Sequence, residues 1–217
     1  MIAAFYSVLV ALALALVWHF AWSRQNRIRA LRILRFVDLA LAGEGHLTGV
    51  TPLAADQFLV SVQLGTSLFR RPAMLLTLAP RHDPLQWLLF LLRHRRESLL
   101  FQTDLDVAPA FNFNGKNQRW FGRTRNHLNV NPDRWTVEQW APCVISTRAA
   151  WRGDQIAIMN ALFSSRHQEV LSVEFRRSSP HFSAALPLDS LPALADQRPS
   201  FFDSLRALAS EASASRM

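Results

Sequence analysis

The chain has 217 residues, half of them apolar and 18 % charged, which excludes a low-complexity or wholly disordered polymer. Its formal charge of +8 sets 24 cations, Lys116 the only lysine among them, against 16 acids; this favours phospholipid headgroups, nucleic acid or an acidic protein face as partners. The single cysteine, Cys143, excludes an intramolecular disulfide and fits a reducing compartment.

The first element is an uncharged apolar run from Ile2 to Trp22 in which only Ser7 and His19 are strongly polar. About 21 helical residues span roughly 31 Å, the thickness of a bilayer's hydrocarbon core. No basic residue precedes the run, it is long, and Trp18-His19-Phe20-Ala21-Trp22 is a poor cleavage site, so it reads as an uncleaved anchor rather than a signal peptide. Tyr6 at one end and Trp18 and Trp22 at the other fit interfacial anchors. Arg24, Arg27, Arg29, Arg32 and Arg35 follow with no acid among them. The positive-inside rule then predicts a single-pass protein of the cell membrane, N-terminus outside and the rest cytoplasmic. Those five arginines are the expected contacts to anionic headgroups.

Residues 24 to 45 read as a basic amphipathic juxtamembrane helix. Ala30, Ile33, Leu34, Val37 and Leu41 make one stripe, and Gly43-Glu44-Gly45 is a stop. The stripe either lies in the headgroup layer or packs on the following domain. We expect both, with the basic turn at headgroup level and later turns against the domain.

From His46 the pattern alternates. Strands are predicted at 56–64 and 73–78. Asp83-Pro84 then starts a helix over 85–96 whose closing Arg93, His94, Arg95 and Arg96 complement its dipole. A strand at 98–107 follows. Asn114-Gly115 predicts a hairpin turn between Phe111/Phe113 and Arg119-Trp120-Phe121. Further strands are expected at 135–140, 143–147, 169–175 and 181–186, with a helix over 150–166. Proline-rich residues 187 to 199 read as a linker to a short tail helix opened by Ser200. The overall expectation is an α+β fold: an anchor (1–23), the juxtamembrane helix (24–45), and a cytoplasmic domain of mainly antiparallel strands with two helices (46–190). That domain divides into two possible related halves, 46–110 and 111–190, and a linker and tail follow at 191–217.

No catalytic motif emerges. The seven histidines show no i, i+4 pair, there is no H-E-x-x-H, and no phosphate-binding glycine loop or nucleophile elbow is present. No metal and no cofactor are expected. Asp104 and Asp106 read as an exposed polar edge rather than an acid–base pair. The richest polar stretch surrounds Lys116, Arg119, Trp120, Arg123 and Arg125, where cations alternate with aromatics. Its simplest reading is a hairpin with aromatics inward. A surface for a partner or anionic ligand comes second, and single-stranded nucleic acid is disfavoured. The expected function is a membrane-tethered, non-enzymatic interaction or accessory protein, with anionic lipid and a protein partner or a second copy as its contacts. The alternatives are a small anchored enzyme clamping an anionic, lipid-linked substrate with Arg119, Arg123 and Arg125, and a tethered nucleic-acid-binding module.

Overall fold

A computed structural model describes residues 2–41, 44–109, 111–117, 136–140, 143–147, 172–190, 205–206 and 209–210. The α+β expectation holds: one long apolar N-terminal helix, one antiparallel sheet and a second helix. Helix α1 (Ile2–Leu41) is unbroken, so the anchor and the juxtamembrane helix are one element of 40 residues, about 60 Å long. Over its apolar part it is long and apolar enough to cross a membrane, and none of the described side chains there is buried against the rest of the protein. The stop falls where expected, the Glu44 amide donating to the Leu41 carbonyl at 2.9 Å.

Among the described residues nine strands follow: β1 (Gly45–Pro52), β2 (Gln57–Leu64), β3 (Phe69–Thr77), β4 (Ser98–Leu105), β5 (Phe113–Asn117), β6 (Thr136–Trp140), β7 (Cys143–Thr147), β8 (Ser172–Phe175) and β9 (Phe182–Pro187). Helix α2 (Pro84–Leu92) connects β3 to β4. The strands form one sheet in the order β1-β2-β3-β4-β9-β8-β5-β7-β6, and every pairing is antiparallel. The β4–β9 pair joins the stretch before residue 110 to the stretch after it.

One face of the sheet is buried by strict alternation. Val60, Met74, Leu76, Leu99, Phe101, Phe182, Ala184 and Leu186 point inward, with Phe69, Phe101, Phe175 and Phe182 in ring contact at centroid distances of 4.9–6.5 Å. The α1 stripe joins this core: Ala30, Leu34, Val37 and Leu41 are buried in it and Ile33 packs beside it. The second half of α1 is therefore a core element of the domain. Leu205 and Ala209, both helical, close the same core, and Arg206 reaches Glu44 at 2.9 Å.

Several local expectations need correction. Asn114-Gly115 is not a hairpin turn. It runs straight through β5, which pairs with β7 on one side and β8 on the other. Turn chemistry is only a local preference; here the buried Phe111 and Phe113 just before the dipeptide set the strand register. Gly115 has a packing reason, since a Cβ there would stand 3.1 Å from the Phe113 ring. Strand β3 begins at Phe69, earlier than expected, and carries Pro72 in a bulge where Arg71 has φ 51°. The bulge takes the Arg70 carbonyl out of the ladder, and the buried Thr103 hydroxyl lies 3.1 Å from it. Strand β1 lies outside the expected strands: its two glycines and its largely exposed side chains leave no hydrophobic pattern to read. Strand β4 is central rather than an edge; Asp104 lies beside Arg70 in register and Asp106 pairs with the Arg70 guanidinium. The helix expected over 150–166 lies outside the described residues, as does most of the tail.

Candidate functional site

The densest long-range polar contacts lie where α1 leaves its apolar segment and meets the loop between β3 and α2. Glu97, just before β4, is the hub. Its carboxylate is 11 % exposed and stands 2.6 Å from Arg29 of α1 and 3.6 Å from Arg81 of the loop. It also accepts the Ala79 amide at 3.1 Å. The Ala79 carbonyl in turn accepts the side-chain amide of Asn26 at 3.2 Å, and Asn26 is buried at 2 % exposure. The same carbonyl accepts the Arg81 amide at 2.8 Å, so Asn26 shares this acceptor and in doing so satisfies its own buried side-chain amide.

One to two turns nearer the N-terminus, the same loop meets the aromatic end of the apolar segment. The Trp18 indole N–H donates to the Arg81 carbonyl at 3.0 Å, and the Arg81 guanidinium lies over the Trp22 ring at 5.8 Å. Trp18 and Trp22 contact each other at 5.5 Å. His19 and His82, 63 residues apart, meet edge to face at 5.4 Å, and the His82 Nδ1 is shielded from solvent without a hydrogen-bond partner. Among the described residues no three His, Cys, Asp or Glu side chains converge as metal ligands would.

The loop then starts α2. Asp83 caps it, accepting the Leu85 and Gln86 amides at 3.0 and 3.1 Å, with Pro84 at the first helical position as expected. The other end departs from expectation. The helix stops at Leu92, and His94 adopts φ 48°. The His94 amide bonds the Leu91 carbonyl and the Arg95 amide bonds the Phe90 carbonyl, a Schellman closure. Arg93 to Arg96 therefore lie at and beyond the C-cap rather than within the last turn.

Of the predicted headgroup contacts, Arg24, Arg27, Arg32 and Arg35 are exposed on α1, while Arg29 is turned into the junction by Glu97. Trp18 and Trp22 face the loop and each other. Lys116 lies on β5, its backbone paired with Val144 and Ser172; Arg119, Trp120, Arg123 and Arg125 lie outside the described residues. Sequence reasoning missed Asn26, Arg81 and Glu97. Asn26 had a signal, since it sits on the stripe of Ala30, Leu34, Val37 and Leu41, where a polar residue needs a buried partner. Away from the junction, Arg176 donates to Glu174 at 2.8 Å, and that bond raises the guanidinium pKa above its ordinary value.

Fold and junction together define a class: a single-sheet α+β domain carried on a helix long and apolar enough to span a membrane. Compared with protein-family models and with curated proteins, the sequence matches none.

Proposed function

We propose that this is a membrane-tethered, non-enzymatic interaction or accessory protein that holds its sheet domain at the inner face of a bacterial-type membrane. The observation that carries the reading is the continuity of α1. The helix leaves its apolar segment and enters the domain core without a break, and the Asn26–Ala79 and Arg29–Glu97 contacts fasten it there. A domain on a flexible tether would sweep a volume and meet many partners. One fixed to its anchor presents the same surface at the same height, which suits docking onto a neighbouring membrane complex or a second copy.

Orientation follows from charge. The exposed arginines Arg24, Arg27, Arg32 and Arg35 follow the span with no acid among them, which favours an outside N-terminus and a cytoplasmic domain in contact with anionic headgroups. Extraction of the native membrane in a gentle detergent tests the interaction reading. It predicts a particle whose protein mass greatly exceeds the 24.7 kDa of one chain; a monodisperse single chain contradicts it.

A further inference from the structure

Helix α2 is the least conventional surface of the domain. From Pro84 to Leu92 its only hydrophilic side chain is Gln86, yet none of its nine residues is buried. Leu85, Leu88, Leu89, Leu91 and Leu92 are 49–74 % exposed, and Trp87 and Phe90 are half-buried. A cluster of this kind on a short helix marks contact with a membrane or a partner.

Its position decides between the two. The residue three before α2, Arg81, is bonded through its carbonyl to Trp18, and the next, His82, packs on His19. Both partners lie inside the apolar run Ile2 to Trp22, so α2 starts at the depth at which that run ends. We propose that α2 is a second membrane contact, a short helix seated in the acyl-chain region of the leaflet on the domain's side. The proposal rests on the reading of α1 as a span.

Three further features fit a lipid environment. The ends of α2 are closed as a low-dielectric layer requires: Asp83 satisfies the Leu85 and Gln86 amides with its side chain and the Trp87 amide with its carbonyl, while the Leu89, Phe90 and Leu91 carbonyls accept from Arg93, Arg95 and His94. Nine residues extend about 14 Å, less than half of a roughly 30 Å hydrocarbon core, so the helix occupies one leaflet and does not cross. Cations bracket it, Arg81 before and Arg93, Arg95 and Arg96 after, at the level where phosphates would lie. This gives the Arg93–Arg96 cluster a role at the lipid headgroups.

Site-directed spin labelling of the full-length Cys143→Ala protein in nanodiscs of phosphatidylcholine and phosphatidylglycerol tests the inference. Labels would be placed one at a time at Leu88 on α2, Leu14 on α1 and the exposed Gln63 on β2. The expected result is that collision with oxygen exceeds collision with a water-soluble nickel chelate at 14 and 88, and that the order reverses at 63. If 14 is in lipid and 88 in water, the α2 proposal is overturned and the span stands. If 14 is in water, the span reading fails and takes the proposal with it. Shielding of 88 from both agents means that protein covers α2, which also overturns it. A second measurement keeps Cys143 intact: benzoylphenylalanine at position 88 should, on irradiation, add the mass of one phospholipid. No lipid adduct, or an adduct with protein, contradicts the proposal.

Discussion

Removing the Glu97 carboxylate tests whether the junction holds α1 to the sheet. An ion pair at about 4 Å gains roughly 4 kcal/mol at an effective dielectric of about 20, before desolvation is set against it. Solvent reaches 36 % of the Arg29 side chain and 30 % of Arg81, which draws the net value toward the about 1 kcal/mol of a surface pair. Loss of the acceptor for the Ala79 amide adds about 1–2 kcal/mol. Glu97→Ala should therefore destabilise by about 2–3 kcal/mol, and Glu97→Gln, which retains an acceptor for Ala79, by about 1 kcal/mol. The assay is urea unfolding of the full chain in a mild detergent followed by near-ultraviolet circular dichroism, run as a double-mutant cycle with Arg29→Met. A coupling of about 1 kcal/mol between positions 29 and 97 is expected. Coupling within about 0.3 kcal/mol of zero, or a harmless Glu97→Ala, would refute the idea that this contact fastens the helix.

Other positions give sharper single readouts. Leu34 is 4 % exposed in the core, and Leu34→Ala should cost about 3 kcal/mol in the same unfolding assay; a loss below about 1 kcal/mol would mean α1 is not a core element. Asn26→Ala removes one of two donors to the Ala79 carbonyl, which keeps the Arg81 amide at 2.8 Å, and should cost about 1 kcal/mol; a neutral result would mean that the Asn26 contact does not help to fasten α1. His94→Gly relieves a left-handed side-chain position and should stabilise α2 by about 1 kcal/mol, seen as roughly fivefold slower amide exchange along the helix. Exchange unchanged or faster would place the end of α2 elsewhere.

The parts of this fold that were legible in the sequence are those where one physical signal dominates. The uncharged run before Arg24, the Ala30–Leu41 stripe, the Asp83-Pro84 helix start and the alternation of β2 and β4 each follow from hydrophobic period or capping chemistry, and each is present. Errors arose where a local preference met a tertiary one. Asn114-Gly115 favours a turn, but the sheet requires a central strand there. Arg93 to Arg96 would suit a last helical turn, but the backbone reverses at His94 first. The junction was the least legible. Asn26, Arg81 and Glu97 are far apart in sequence, and only the β3–α2–β4 connection brings them together. No spacing rule reports that kind of convergence.

The proposed topology has α1 crossing the membrane from outside and delivering the sheet domain to the cytoplasmic face. Single cysteines at Ile2 and at the exposed Asp189, each in the full-length Cys143→Ala chain, read this directly with a maleimide that does not cross the inner membrane. That topology predicts labelling at position 2 in intact cells and at position 189 only after the membrane is permeabilised. Labelling at 189 in intact cells, with position 2 protected, would contradict it.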